Sequence, residues 1–354
     1  MSDALLSPAV GGAMLAVSAG AIALAVKKTA GLHLDNAAAG GQTEFGQTSF
    51  ASKIPLMGVM GAFIFAGQMI NFTIPGTGSS GHIGGGVLLA AVLGAWPALI
   101  TLASVLLIQC LFFADGGLLA YGCNVFNMGV TSCLLAYTFI YKPITRNSVN
   151  QKTITLGSIL AVVAGLQVGA FCVTLETAVS GITELPFGLF VLAMQPIHLA
   201  IGLVEGIVTA VVLCYIHTVR PGLLVEALEN RPETAIPSRF TLKKVIISIA
   251  ILAVITAAGL SLFASAYPDG LEWSMERTAG TAELEREGAV YDAAAGVVEK
   301  TAFMPDYGFK SASPDGGGAA GTASAGLVGS LITVVFIAAL GFAIYALRRK
   351  RKTA

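Results

Sequence analysis

The sequence predicts an all-α polytopic membrane protein, and three observations support that prediction. Only 11% of the 354 residues are charged and 55% are apolar, whereas a soluble domain carries about 25% charged residues. The mean hydropathy is +0.80. Apolar runs of about 20 residues, the length of a membrane-spanning helix, recur along the chain and usually end at basic residues. A chain with so few charges cannot cover the surface of a soluble globule.

The apolar runs divide into eight that are long enough to span and one that is short. The spans are predicted at 8–26, 54–72, 97–113, 118–141, 154–175, 187–216, 245–263 and 326–347. The short run, 83–93, would cover about half a bilayer as a helix. Gly94 and Pro97 interrupt the helix after it, and we count the run as one crossing.

Basic residues set the predicted orientation. With nine segments, all basic clusters share one side: Lys27, Lys28, Lys53, Lys142, Arg146, Lys152, 220–244 and 348–352. That side is predicted to be the cytoplasm and holds the C-terminus. The N-terminus, His82 and the polar segment 267–325 then lie outside.

Composition divides the chain into two modules. Residues 1–217 form a core of seven segments, and the proline-containing stretch 218–243 reads as a cytoplasmic linker. Residues 244–347 form a second module, in which two helices flank the segment 267–325, and 348–354 is a basic tail. The polar segment carries ten acidic residues. These either concentrate cations at the outer face or only keep a solvated loop soluble.

The sequence contains no G-x-x-x-x-G-K-[ST] motif, so the chain does not hydrolyse ATP by a P-loop mechanism. No Ser/His/Asp or HExxH constellation is present either, and we do not expect an enzyme. Ionisable residues, which gradient-driven carriers usually hold within their spans, are almost absent from the first seven segments. His198 and Glu205 are the main exceptions. This pattern favours energy from a separate ATPase.

His82 is the first candidate metal ligand. It stands alone in a loop of small residues, between Gly81 and the run 84–86. Neutral imidazole is the commonest transition-metal ligand, and glycine lets the main chain approach closely. We interpret the loop as a flexible ledge that carries one ligand, while a histidine that only packs is the alternative.

Polar residues near the outer ends of the helices are predicted to support this loop. Four polar side chains would either hold the His82 loop in place or form hydrogen bonds between helices: Gln68, Asn71, Asn124 and Asn127. His198 and Glu205 lie seven residues apart on one helical face. His198 would orient the N-terminus or sense protons, or make an interhelical hydrogen bond.

The first helix carries small residues at helical spacing: Gly12, Ala16 and Gly20, and Ala19 and Ala23. Such a face permits close helix approach. It either packs within the chain or docks another membrane subunit.

Three stretches resemble the CbiM/NikM family, the substrate-binding S components of energy-coupling factor (ECF) transporters for cobalt and nickel. They are KIPLMGVMGAFIFAGQMINFTIPGTGSSGHIGGG (53–86), FADGGLLAYGCNVFNMG (113–129) and PIHLAIGLVEGIVTA (196–210). The resemblance covers roughly residues 3–220. YPDGLEW (267–273) and FMPDYGF (303–309) resemble the PDGLE-type, NikN-like subunit, which modestly favours nickel over cobalt.

The resemblance implies a membrane component that captures Ni²⁺ or Co²⁺ as its transported ligand, with no cofactor and no nucleic-acid partner. A T component (CbiQ/NikQ-like) and ATPases (CbiO/NikO-like) would supply the energy, and the small-residue face of the first helix would meet the T component. The protein would lie in a bacterial or archaeal cell (inner) membrane. A secondary carrier or channel that works without ATPases is the first alternative, and a scaffold that has lost metal binding is the second.

The resemblance also implies a planar nitrogen cage. Its ligands would be the amine of Met1, the backbone nitrogen and imidazole of a histidine at position two, and His82. Here Ser2 occupies the second position. One hypothesis is a true start two residues upstream, with this Met1 as the internal methionine of a Met-His-Met start. The alternative is that the chain starts here and binds metal weakly or not at all.

Overall fold

Long apolar helices run through the computed structural model, which describes residues 1–38, 50–229, 238–310 and 318–353. The helices are α1 (Pro8–Ala38), α2 (Phe50–Gln68), α3 (Gly86–Leu93), α4 (Ala95–Phe113), α5 (Tyr121–Thr145), α6 (Gln151–Ser180), α7 (Phe187–Val219), α8 (Pro221–Glu229), α9 (Leu242–Ala258), α10 (Gly270–Ala279), α11 (Ala289–Thr301) and α12 (Gly318–Thr353). A two-stranded antiparallel hairpin joins β1 (Phe72–Ile74) to β2 (Ser79–Gly81).

The predicted fold class is confirmed. Within the described ranges, seven helices are long and apolar enough to cross a membrane: Pro8–Thr29 of α1, then α4, α5, α6 and α7, Leu242–Phe263, and Ala320–Ala346 of α12. The apolar part of α2, Lys53–Gln68, is shorter, and α3 has eight residues. Two of the nine predicted crossings therefore fall below ordinary spanning length.

α2 ends at Gln68 rather than at the predicted Phe72. Phe72 instead pairs with Gly81 in the hairpin, so its backbone groups are bonded to a strand and not to a helix. Gly76 and Gly78 have φ angles of 76° and 74° in the turn, a region that favours glycine. The hairpin delivers the chain directly to His82.

α3 is short because glycine ends it on both sides. Gly85 before it and Gly94 after it have φ angles of 77° and 88°. At 1.5 Å per residue, α3 is about 12 Å long, and all its residues are buried. It packs against α8, and Lys53 at the start of α2 pairs with Glu226 of α8 at 2.9 Å. α3 therefore leads from the His82 loop back toward the face that holds α8.

The predicted linker is partly an ordered element. Residues 221–229 form α8, whose buried side chains are Leu223, Leu224, Ala227 and Leu228. The hydroxyl of Tyr137 donates to the carbonyl of Ala227 at 3.1 Å. Pro232 and Pro237 of the linker lie outside the described residues.

The second module packs against the core. α9 and α12 both lie along α2, and the Ser330 hydroxyl donates to the Ala62 carbonyl at 3.2 Å. A Cβ at Gly61 would lie 2.5 Å from Ile337 Cδ1, so this glycine lets α12 approach.

The polar segment is not a solvated loop, because its described part holds α10 and α11 and contacts the core. The Tyr291 hydroxyl donates to the Leu6 carbonyl at 2.9 Å, and the Phe303 amide donates to the Phe112 carbonyl at 3.2 Å. The rings of Phe113 and Tyr307 stack with centroids 5.2 Å apart. These contacts hold the segment over the end of α4.

We expect Gly329→Ala to destabilise the protein by about 1–3 kcal/mol, because overpacking forces rigid groups apart. A Cβ at Gly329 would lie 2.1 Å from two ring atoms of Phe65 and 3.0 Å from Phe113 Cζ. Thermal unfolding of the purified protein measures the effect.

Gly296→Ala is the matched control, because nothing lies within 4 Å of that Cβ position. It should stabilise α11 by about 0.5–1 kcal/mol. Equal unfolding midpoints for the two variants would contradict the packing of α12 against Phe65.

Candidate functional site

The backbone N–H and the carbonyl of Gly84, two residues after His82, both form hydrogen bonds to buried side chains. Glu205 of α7 is 1% exposed, and its two carboxylate oxygens accept hydrogen bonds from the amides of Gly84 at 3.0 Å and Gly85 at 2.8 Å. Gln68 Nε2 donates to the Gly84 carbonyl at 2.9 Å. Hydrogen bonds to a buried charge are stronger than neutral ones, so these residues fix the main chain beside His82.

Close packing, rather than flexibility, explains the glycines of this loop. A Cβ at Gly85 would lie 2.4 Å from Ile64 Cδ1, and one at Gly81 would lie 2.5 Å from Ile201 Cγ1. The interpretation of the loop as a flexible ledge is therefore wrong.

A cavity of about 140 Å³ lies beside the loop. Five of the predicted site residues line it: Met1, His82, Asn124, Asn127 and His198. His82 Nδ1 is buried and has no hydrogen-bond partner in the described structure. An unpartnered imidazole nitrogen can act as a metal ligand.

The N-terminus reaches the cavity through main-chain contacts. The Met1 carbonyl accepts hydrogen bonds from Asn124 Nδ2 and from the Gly117 amide, both at 3.2 Å. Asp3 Oδ1 accepts a hydrogen bond from the Ala120 amide at 2.8 Å. Burial raises the pKa of Asp3 above its usual value, against the hydrogen bonds from 118–120, which lower it. Asp3 thus attaches the N-terminal segment to the start of α5, a role that its place in the sequence did not indicate.

Asn127 binds a buried carboxylate instead of the loop. Its Nδ2 donates to Glu176 Oε2 at 2.7 Å, and both side chains are 7% exposed. The span predicted at 154–175 ends too early, because α6 continues through Glu176 to Ser180. This bond joins α5 to α6 beside the cavity.

His198 hydrogen bonds within its own helix. Its Nδ1 lies 2.8 Å from the Met194 carbonyl, which can only accept, so Nδ1 is the donor. This nitrogen therefore does not form the expected interhelical hydrogen bond. In a neutral ring this leaves Nε2 as an acceptor. His198 and Glu205 both line the cavity, as their spacing on one face indicated.

Two predicted supporting residues lie outside the cavity wall. Gln68 acts through the Gly84 carbonyl, as described above. Asn71 does not line the cavity. Its main-chain carbonyl accepts from the Ser265 amide at 2.6 Å, so it contacts the second module rather than the His82 loop.

The small-residue face of α1 points away from the rest of the described chain. Gly12, Ala16, Ala19, Gly20 and Ala23 are all exposed, and nothing lies within 4 Å of a Cβ at Gly12 or Gly20. Packing within the chain, one of the two interpretations, does not account for this face.

The described residues contain no group of three or more His, Cys, Asp and Glu side chains that could hold a metal ion. The donors at the cavity are instead single imidazoles from different elements, His82 and His198, beside Met1. Nitrogen donors suit nickel, copper, zinc and cobalt better than calcium or magnesium.

Comparison with known families decides what the chain belongs to. Residues 1–223 match the family model CbiM, described as the cobalt uptake substrate-specific transmembrane region. The chain belongs to this CbiM family. Residues 243–346 match the PDGLE domain, so the CbiM region and the PDGLE domain are fused in one polypeptide.

Individual relatives agree with this assignment. A protein of Archaeoglobus fulgidus, named as a fused nickel transport protein NikMN, is 33% identical over 291 residues, which are 82% of this chain and 85% of that protein. The fused nickel transport protein NikMN of Rhodobacter capsulatus is 32% identical over 63% of this chain and 65% of its own length. A crystal structure of a truncated transition metal transporter is 28% identical over 61% of this chain and 97% of its own, with a TM-score of 0.49. The family match and the two named relatives show that this chain is a metal transport protein of the nickel and cobalt type.

We expect Glu205→Gln to loosen the His82 loop. The amide side chain keeps one acceptor but brings a donor against a second backbone N–H, so one charge-assisted bond worth about 1.5–3 kcal/mol is lost. Hydrogen exchange at the amides of Gly84 and Gly85, followed by mass spectrometry of that peptide, should accelerate by one to two orders of magnitude.

Glu184→Gln provides the control, because this glutamate is exposed in the turn after α6. The substitution removes the same charge as Glu205→Gln does. Unchanged exchange at Gly84 and Gly85 in Glu205→Gln would show that Glu205 does not hold the loop.

Proposed function

We propose that this chain is the substrate-binding membrane component of an ECF-type transporter that imports nickel or cobalt ions, with nickel favoured. The observation that carries the proposal is the buried Nδ1 of His82, which has no partner among the described residues, in a side chain that lines a cavity together with Met1. A lone buried imidazole nitrogen is costly to leave unbonded, and a bound divalent metal would satisfy it.

The surrounding residues would position that ligand. Glu205 and Gln68 hold the loop from two sides, and Asn124 holds the Met1 carbonyl. His82 would therefore meet the ion at a fixed place, while Met1 and any residue before it would supply the other nitrogens. Nickel is favoured because the chain carries a PDGLE domain and because its relatives with both modules are named as nickel transport proteins.

Energy would come from partner subunits, since the chain has no P-loop sequence. We propose a CbiQ/NikQ-like T component and CbiO/NikO-like ATPases, with the T component docking on the exposed small-residue face of α1. The positive-inside pattern supports an extracytoplasmic N-terminus and cavity and a cytoplasmic C-terminus, in a bacterial or archaeal inner membrane.

We expect His82→Ala to weaken Ni²⁺ binding by more than about tenfold, because a metal ligand and not only a supporting contact is lost. Isothermal titration of the purified full chain with Ni²⁺ and with Co²⁺ measures this, after mass spectrometry has established the native N-terminus. The tighter of the two ions identifies the preferred cargo.

His217→Ala is the control, since His217 lies at the opposite end of α7 near Arg146 and Val225, away from this cavity. Equal affinity of His82→Ala and the native protein would overturn the proposed site. Uptake into liposomes by the chain alone, without ATPases, would favour the secondary carrier instead.

We expect Gly20→Leu to leave Ni²⁺ binding unchanged but to weaken association with the T component by about 1–3 kcal/mol, because the added side chain fills a face that must pack closely. Copurification of the coexpressed subunits measures the association.

The matched control is Gly188→Leu, which adds the same side chain at an exposed glycine of α7 with nothing within 4 Å of its Cβ position. Loss of the T component in both variants, or in neither, would argue against docking on α1.

A further inference from the structure

The second module contributes to the wall of the cavity through the turn that precedes α10. Three of its residues, Asp269, Gly270 and Leu271, line the same cavity as His82 and His198. They lie about 190 positions from the His82 loop in the sequence. The cavity is therefore enclosed by both modules.

The turn is attached to the hairpin that precedes His82. The Ser80 amide donates to the Pro268 carbonyl at 2.8 Å, and the Ser80 hydroxyl donates to the Tyr267 carbonyl at 2.7 Å. Trp273 Nε1 donates to the Thr77 carbonyl at 3.0 Å. These bonds join the two modules on the outer side of the cavity.

Gly270 closes the contact between the turn and α7. A Cβ at this position would lie 2.9 Å from Ile201 Cδ1, 3.1 Å from His198 Cε1 and 3.4 Å from His198 Nε2. A Cβ here would crowd the imidazole of His198 and the end of Ile201, so a larger residue requires the turn or one of these side chains to shift.

Asp269 lines the cavity, and only one of its two carboxylate oxygens has a hydrogen-bond partner among the described residues. Its Oδ1 accepts from the amides of Leu271 at 2.8 Å and Glu272 at 2.9 Å, which caps α10. Its Oδ2 accepts no hydrogen bond within the described ranges. The other carboxylate on the wall, Glu205, uses both oxygens to hold Gly84 and Gly85.

A divalent cation that is bound by protein nitrogen atoms gives up part of its water and is stabilised by a nearby negative charge. We propose that the second module completes the cation site: Asp269 faces the bound ion with its free oxygen, and Gly270 lets the turn close over the ion and slow its release. This inference rests on the proposed function, because the ion is the cargo that His82 would bind.

Asp269→Asn removes the negative charge but keeps the helix cap of α10, because asparagine caps a helix as well as aspartate does. We expect Ni²⁺ affinity to fall by about tenfold, with α10 intact. Gly270→Val should leave the carboxylate in place but open the wall, so Ni²⁺ should dissociate several times faster. Full-length protein in lipid nanodiscs is loaded with Ni²⁺, and stopped-flow mixing with a chelator gives the dissociation rate, while titration gives the affinity.

Glu276→Gln is the matched control, since it removes the same charge from the exposed side of the same helix. If it weakens binding as much as Asp269→Asn does, the acidic face attracts cations diffusely and the inference is overturned. Native-like affinity and release in both Asp269→Asn and Gly270→Val, with binding still lost in His82→Ala, would overturn this inference and leave the proposed function standing. Failure of the native protein to bind either ion would overturn both.

Discussion

The structure of the candidate site depends on one interaction: the carboxylate of Glu205 accepts hydrogen bonds from two consecutive backbone N–H groups. A carboxylate that is 1% exposed must have strong partners, because an isolated buried charge is very costly. Gly84 and Gly85 provide these partners, and Gly85 fits beside Ile64 of α2 because it has no Cβ. The loop therefore stabilises Glu205 as much as Glu205 stabilises the loop, and His82 is positioned by both.

Hydrogen bonds also connect the His82 loop to the N-terminal segment and to the PDGLE region. The hairpin before His82 bonds to the turn of the second module, and α11 bonds back to the N-terminal segment through Tyr291. Asp3 attaches that segment to α5. The N-terminus, the His82 loop and the PDGLE region thus share one set of contacts, so a displacement of one is transmitted to the others by direct packing.

Hydropathy predicted most helices well, because lipid requires long apolar helices whose backbone bonds are internal. His82 could be found because an imidazole among glycines has little to pack against. The predicted span 154–175 excluded Glu176, because a carboxylate near the end of an apolar run suggests that the helix has ended. Its buried partner Asn127 cannot be identified from the sequence. Asp3 accepts a hydrogen bond from Ala120, 117 positions away, and Asp269 lines the same cavity as His82. Such pairs leave no local periodicity, and no pattern in one sequence indicates them.

The cavity also bears on which cations the protein would accept. Magnesium and calcium are bound by six or more oxygen ligands, but the carboxylate oxygens of Glu205 are already used by the loop, and the wall adds one free oxygen from Asp269. Imidazoles approach from two elements, at His82 and His198. The wall also offers amide side chains, at Asn124 and Asn127, but the described residues contain no cluster of carboxylates, so a hard cation would find few charged oxygens there. A late transition metal that prefers nitrogen would gain more from the imidazoles.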